Sequence, residues 1–277
     1  VRVMISADME GATGVTWPDD VEPGTAAWER MRRLLTGDVN ACVAGLFAGG
    51  ATEVLVNEAH YTQRNVLIED LDERAELLTG RHKPLGMMHG VQDADGVVML
   101  GYHTGAGEEG VLAHTYLGTG LVDFRIDGEA ADEGRMNALV AAEHGVPVLL
   151  VTGDDLTCAA AGRWAPGART AAVKRAVSRY AAVCLPPARS AALIEAEAAA
   201  AARAALAAGR PVGVPREHRF EVTFHATHQA AAVEAVPTVE RTGPRTVAYT
   251  APSATDGARA FKVCTTVAAS AAEAHYG

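Results

Sequence analysis

A chain of 277 residues with 49% hydrophobic and 21% charged residues has an ordinary globular composition and is long enough for one large or two small domains. Its formal net charge of −10 excludes a binder of nucleic-acid backbones, which needs a basic footprint to displace counterions. The chain offers neither a long uncharged apolar run nor a basic segment leading into one, so neither membrane insertion nor export is expected.

In chain order, Val1 to Ile5 reads as a buried strand. Thr25 to Phe47 reads as a helix, with Trp28, Met31, Leu35, Val39, Cys42 and Leu46 at helical spacing, and Glu53 to Val56 as the next strand. This strand–helix–strand rhythm belongs to a sheet of parallel strands. It is expected to continue through GVVMLGYH (96–103), LVDFRIDG (121–128), a helix over 132–144 and VPVLLVTGDD (146–155). Asp154 and Asp155 at that strand end read as a helix cap. The alanine-dominated segment 191–208 is a helix on propensity, ended by Gly209. Strand (220–225), helix (228–236), strand (246–250) and helix (258–272) follow. The expected fold is therefore α/β: a mostly parallel central sheet flanked by helices over 1–189, with a smaller α/β lobe over 190–277. That lobe is the candidate for oligomerisation and for part of a substrate pocket. The cysteines Cys42, Cys158, Cys184 and Cys264 form no CxxC pair and lie in apolar stretches. They read as reduced core residues of a cytoplasmic protein.

The chemistry concentrates at strand ends. In SADMEGATG (6–14), Asp8 and Glu10 directly follow the first strand, and residues two apart in extended chain share a side. Two converging carboxylates are costly unless something positive neutralises them. EVLVNEAH ends in His60, VVMLGYH ends in His103, and the segment after FRIDG reaches Glu133 at a helix start. Ligand clefts in open α/β sheets form beyond the carboxyl ends of parallel strands. Two imidazoles and three carboxylates there suit Zn²⁺ and its neighbours, whereas an all-oxygen set suits Mg²⁺ or Ca²⁺. Five ligands exceed one closed tetrahedral site, so a pair of ions sharing a carboxylate is the natural reading.

Taken in order and at these separations, SADMEGATGV, EAHYTQRN, GYHTGAGEEGVLAHTY, IDGEAADEGRMNA and GVPVLLVTGDD resemble the zinc-dependent D-aminopeptidase family, peptidase family M55. The likeness is strong over residues 1 to about 175 and weaker beyond. It implies an α/β core with a smaller second domain, a homo-oligomeric ring such as a decamer, two Zn²⁺ per subunit, and release of N-terminal D-amino acids from short peptides or amides. It assigns the bridging aspartate to Asp8 and the other ligands to Glu10, His60, His103 and Glu133. His114 in LAHTY falls on a histidine near the metals, the catalytic candidate. The sequence departs from the family pattern at Tyr61, where glycine is usual after the first histidine, and at Asp127 in place of asparagine.

Two metals would polarise an amide carbonyl and activate water, with His114 as proton donor or oxyanion stabiliser. Arg64 and Asn65, on the His60 loop, can orient substrate or merely tie the loop down. Rival readings are a metal-dependent phosphoesterase, against which stands the lack of a basic cluster, and a non-catalytic ring protein that binds metal or peptide.

Overall fold

The structure, a computed structural model, describes residues 1–209 and 211–273. Alternate side chains of a strand point to opposite sides, and in RVMISA both sides are buried. Strand β1 (Arg2–Ala7) sends Val3, Ile5 and Ala7 into one apolar cluster and Met4 into another. A strand covered on both faces belongs inside a parallel sheet. It lies third in a seven-stranded sheet of order β3-β2-β1-β4-β7-β8-β9. The other members are β2 (Glu53–Glu58), β3 (Ala75–Leu78), β4 (Gly96–Leu100), β7 (Val148–Asp154), β8 (Arg169–Ser178) and β9 (Ala181–Cys184). All neighbours pair in parallel except β8 and β9. The chain leaving β1 returns on one side as β2, and the chain leaving β4 returns on the other as β7. The carboxyl ends of β1 and β4 thus form a topological switch point, where such sheets open a crevice.

Helices α1 (Ala26–Ala48) and α4 (Pro187–Ala208) pack against each other over the Val3–Ile5 side of the sheet. Thr25 starts α1 by accepting a hydrogen bond from the Trp28 N–H, and Trp28, Met31, Leu35, Val39, Cys42 and Leu46 are buried, as their spacing predicts. The alanines of α4 allow a close crossing. A Cβ at Gly45 would lie 2.3 Å from the Glu195 carbonyl oxygen and 2.8 Å from the Ala198 Cβ. On the opposite side, α2 (Glu133–Glu143) places Val140 beside Met4, and α3 (Asp155–Trp164) packs on β7 and β8. Asp154 caps α3 by accepting from the Thr157 N–H.

A second sheet, antiparallel throughout, has the order β11-β12-β10-β5-β6. Its strands are β5 (Leu121–Ile126), β6 (Glu129–Ala130), β10 (His218–Phe224), β11 (Glu240–Arg241) and β12 (Thr246–Ala251). Helices α5 (Thr227–Val233) and α6 (Ala254–Ser270) cover it around Phe124, Phe220 and Phe261.

Two expectations change. LVDFRIDG does not extend the parallel sheet: its strand β5 pairs antiparallel with β10, and the Asp127–Gly128 turn, at positive φ, folds it onto β6. A division at residue 190 also does not separate the layers. The second sheet takes β5 and β6 from before it, and α4, which straddles it, packs on the first sheet because its alanines match Gly45 of α1 and Gly49 at the C-cap of α1. Residues 210 and 274–277 of the expected C-terminal lobe lie outside the described residues. Cys42 and Cys264 are buried, but Cys158 and Cys184 are only half-buried; all four are free thiols. No helix among the described residues is long and apolar enough to cross a membrane.

The α1–α4 crossing yields a paired test. Gly45→Leu should destabilise by about 2 kcal/mol or more through overpacking. Gly37→Ala, exposed on the same helix with nothing within 4 Å, should stabilise by roughly 0.5–1 kcal/mol. Chemical denaturation of both variants reads the difference. A second test concerns Asp38 of α1, whose buried carboxylate accepts hydrogen bonds from Thr13 N (2.8 Å) and Thr13 Oγ1 (2.8 Å) and so pins the loop after β1. Burial raises its pKa to about 6 from the ordinary 3.8, against the lowering effect of the Thr13 bonds. The folded state therefore holds this proton more tightly than the unfolded chain. Its stabilising contribution is full below about pH 4 and lost as pH rises through about 6. Melting temperature followed from pH 4 to 6 should fall less steeply in Asp38→Asn than in the parent chain.

Candidate metal centre

The chain leaves β1 and β4 side by side. Asp8 N donates to Leu100 O and Gly11 N to Gly101 O, each at 2.8 Å. A Cβ at Gly11 would lie 2.0 Å from Tyr102 O, so only glycine lets the two loops cross this closely. Their crossing brings Asp8 of one loop beside His103 of the other. His60 arrives two residues beyond β2, and Glu133 is the first residue of α2, whose N-terminus is capped by Asp132. With Glu10, two residues after Asp8, these five residues are buried, between 2% and 7% exposed.

The donor atoms fall into three groups, each within 4.8 Å: Asp8, Glu10 and His60; Asp8, His103 and Glu133; Glu10, His103 and His114. His60 Nδ1 lies 3.4 Å from Asp8 Oδ1 and 3.0 Å from Glu10 Oε2. His103 Nε2 lies 3.5 Å from Asp8 Oδ2 and 3.7 Å from Glu133 Oε1. The two oxygens of Asp8 thus face different histidines, and Asp8 Oδ2, though buried, accepts no hydrogen bond. An orphaned buried carboxylate oxygen is costly without a cation.

Each imidazole is held from behind. His60 Nε2 bonds Val21 O at 2.8 Å, His103 Nδ1 bonds Thr104 O at 2.9 Å and His114 Nδ1 bonds Leu112 O at 2.8 Å. A carbonyl only accepts, so the bonded nitrogen of each ring carries a hydrogen. His60 Nδ1, His103 Nε2 and His114 Nε2 are the atoms directed at the carboxylates, His60 Nδ1 donating to Glu10 Oε2. Metal-binding histidines are oriented in this way.

Electrostatics follow from burying three acids together. Burial raises the Asp8 pKa well above the ordinary aspartate range, and neighbouring Glu10 adds to the rise. Burial raises Glu133 as well, against the pull of His114. Burial alone would also raise Glu10, but the His60, His103 and His114 imidazoles hold it well below the usual value. Burial disfavours charged His60, but Glu10 and Asp8 overcome this and raise its pKa well above the ordinary value. His114 is lowered by burial and by stacked His103, whose ring is 4.2 Å away at 10°.

His114 lies where the glycine-containing loop after β4 folds back. Its Nε2 is 3.6 Å from Glu10 Oε1, and its side chain, 16% exposed, is the most open of the six. The loop is fixed by Val111 N donating to Asp154 Oδ2, Leu112 N to Arg179 O and His114 N to Thr104 O. Asp154 therefore supports the His114 loop besides capping α3.

Asn65 does not present itself to a ligand. Its side chain donates to His60 O and Glu58 Oε2 and accepts from Trp28 Nε1, and its backbone N–H meets both Glu58 oxygens. With every polar atom engaged inside the protein, it ties down the His60 loop; Arg64 beside it is exposed. Sequence reasoning missed Glu58, which anchors that loop, and Lys174, whose buried Nζ donates to Glu10 O (2.5 Å), Ala12 O (3.0 Å) and Val15 O (2.7 Å). A signal for Lys174 existed: it is one of only three lysines in the chain.

The likeness to known proteins agrees with this geometry. The chain is 36% identical over 272 residues to a D-aminopeptidase of Bacillus subtilis (strain 168), covering 97% of this chain and 98% of that one. Its fold matches the solved structure described as "Zn-dependent D-aminopeptidase DppA from Bacillus subtilis, a self-compartmentalizing protease" with a TM-score of 0.92. That match has 34% identity and covers 97% of this chain and 98% of the other. Residues 1–263 match the family profile Peptidase_M55, described as D-aminopeptidase, and by the extent of these matches the chain belongs to that family.

Proposed function

We propose that this protein is a zinc-dependent aminopeptidase that releases N-terminal D-amino acids from short peptides or amides and works as a homo-oligomer. The observation that carries the reading is Asp8: one carboxylate oxygen faces His60 and the other, lacking any hydrogen bond, faces His103. Asp8, Glu10 and His60 would hold one ion, and Asp8, His103 and Glu133 would hold a second. Both sets mix nitrogen with oxygen donors, which suits zinc. Family membership supports peptide hydrolysis at an N-terminal D-residue, and the description of DppA as zinc-dependent and self-compartmentalizing supports the metal and the assembly.

When bound, zinc supplies Lewis acidity, which polarises the scissile carbonyl and makes a water acidic enough to attack near neutral pH. The chain's own residues do the rest. His114 is mostly neutral, since burial and His103 lower its pKa, and its Nδ1 hydrogen is committed to Leu112 O. Nε2 is therefore the free base, which takes a proton from the attacking water and returns it to the leaving amine. This tautomer makes His114 a proton carrier in preference to an oxyanion donor. Glu10 Oε1, 3.6 Å from Nε2, stabilises the imidazolium formed between the two transfers. The small exposure of the ligands keeps bulk water from the reacting bond.

Metal analysis after chelation and reconstitution should find two zinc ions per subunit, and removing them should lower the melting temperature, since ligands that bind only the folded state stabilise it. Asp8→Ala should retain less metal than any other single ligand variant; saturation at one ion would contradict the paired site. Paired D- and L-aminoacyl amides and dipeptides test the activity itself, and the reading fails if zinc-loaded protein cleaves neither or prefers the L series. His114→Ala should keep both metals and a near-normal melting temperature while kcat falls by about 10²- to 10⁴-fold. Loss of metal in that variant would instead make His114 a ligand.

A further inference from the structure

Backbone strain gathers around the site. Seven non-glycine residues among those described have positive φ, and four of them, Tyr61, Gln63, Leu112 and Tyr116, lie within three residues of His60 or His114. Such conformations persist only where the surroundings impose them, and they concentrate at functional positions. Tyr61 is the sharpest case. At φ +44° it holds a bulky side chain in a left-handed conformation, yet it is 55% exposed, so core packing does not offset the strain. Farther along the same loop, the Glu58 carboxylate accepts from the Asn65 and Val66 N–H groups. The Tyr61 ring stands edge-on to His60, with centroids 6.1 Å apart.

Two more aromatics stand out on the same segments. Trp17 is 53% exposed and Tyr180 is 46% exposed, and their rings meet edge to face at 5.3 Å. Trp17 lies on the loop that begins with Asp8 and Glu10 and reaches His60 through Val21 O. Tyr180 follows Arg179, whose carbonyl holds the His114 loop through Leu112 N. Each strongly exposed aromatic among the described residues therefore sits on a segment that also positions a site residue. Two guanidinium groups accompany them: Arg81 lies 6.0 Å from the Tyr61 ring and Arg179 lies 5.8 Å from that of Tyr180.

From this arrangement we propose that Tyr61, Trp17 and Tyr180 form an aromatic rim that receives the apolar side chain of the substrate residue after the scissile bond. The inference rests on the aminopeptidase reading and names the substrate class within it: short peptides with an apolar second residue. The ligands are buried, so the substrate's amine and scissile carbonyl go inward and the leaving residue remains at the level of the exposed rings. Aromatic faces there offer apolar contact at little cost in side-chain entropy. Arg81 and Arg179 supply the positive charge that complements the free carboxylate of a dipeptide.

The test is the ratio of kcat/KM for D-alanyl-phenylalanine over D-alanyl-glycine, measured on zinc-loaded protein. The parent chain should favour the phenylalanine peptide by about tenfold or more, a discrimination within reach of apolar contact. Tyr61→Gly, whose residue accepts the left-handed backbone, should reduce the ratio at least fivefold with metal content intact. Tyr180→Ser, on an exposed hairpin tip, should reduce it in the same direction. A parent ratio near one, or an unchanged ratio in both folded variants, overturns the rim while leaving the aminopeptidase reading in place. Dissociation of the assembly by either variant, seen by light scattering, also overturns it, because the rings would then be a contact between copies. If the parent hydrolyses no D-aminoacyl substrate, the underlying reading has failed and the rim falls with it.

Discussion

Asp8, Glu10 and Glu133 are buried in one cluster, and the repulsion among them governs the architecture around the site. Three carboxylates in a poorly solvated space can coexist only with compensating positive charge or shared protons. His60, whose pKa the acids raise, supplies part of that compensation to Glu10 and Asp8, while Asp8 Oδ2 stays buried without a hydrogen bond. The backbone carbonyls of Val21, Thr104 and Leu112 must also stand behind the imidazoles. Those three carbonyls lie in irregular loops, so loop conformation has to be specified as closely as the sheet beneath it.

Buried ammonium groups do much of this specification. Irregular loops leave carbonyls without the ladder partners they would have in a strand, and a lysine offers three donors from one point. Lys174 reaches from β8 to Glu10, Ala12 and Val15, fixing the loop after β1. Lys83 donates to Glu58 O and Asn57 Oδ1 at the end of β2. Burial lowers the pKa of each to about 8, a cost consistent with carbonyl partners replacing only part of the lost hydration. Two of the chain's three lysines are used in this way, which gives meaning to an otherwise arginine-dominated cation content.

The second sheet matters to the site through α2. Met136 packs in the core of the antiparallel sheet, Val140 packs beside Met4 of the parallel one, and Asn137 donates to the Tyr102 hydroxyl, which in turn meets Ser6 Oγ. One helix is thereby wedged between two layers, with Glu133 at its first turn and the Tyr116 N–H bonded to Glu133 Oε1 at 2.8 Å. Four of the five candidate ligands come from strand ends of the parallel sheet, and the fifth comes from this joint between the sheets. The centre is complete only when both layers are docked.

Much of this was legible in the sequence because strand-end chemistry is local. Val1 to Ile5, Glu53 to Val56 and Val97 to Leu100 are apolar runs of strand length, and whatever polar residue follows such a run must emerge at the carboxyl edge of the sheet. That rule places Asp8, Glu10, His60 and His103 at one edge, and the helical spacing from Trp28 to Leu46 marks α1. Local pattern could not decide pairing partners. LVDFRIDG has the same apolar alternation whether it pairs in parallel with a neighbour or antiparallel with residues almost a hundred positions later, so β5 joined β10 for reasons only the docked layers contain. The alanine-rich helix could likewise rest on either lobe until the glycines of α1 offered it a close crossing. Asn65 reads equally well as a substrate contact or a loop anchor from sequence, and its bonds to the Glu58 carboxylate and the Trp28 indole favour the anchor. Sequence by itself determined which polar residues emerge at the strand ends as candidates, since spacing along one strand or helix is a short-range property. Tertiary structure decided the facing of Asp8's two oxygens, the carbonyl behind each imidazole and the fold-back of the His114 loop, because each depends on atoms brought together from distant parts of the chain.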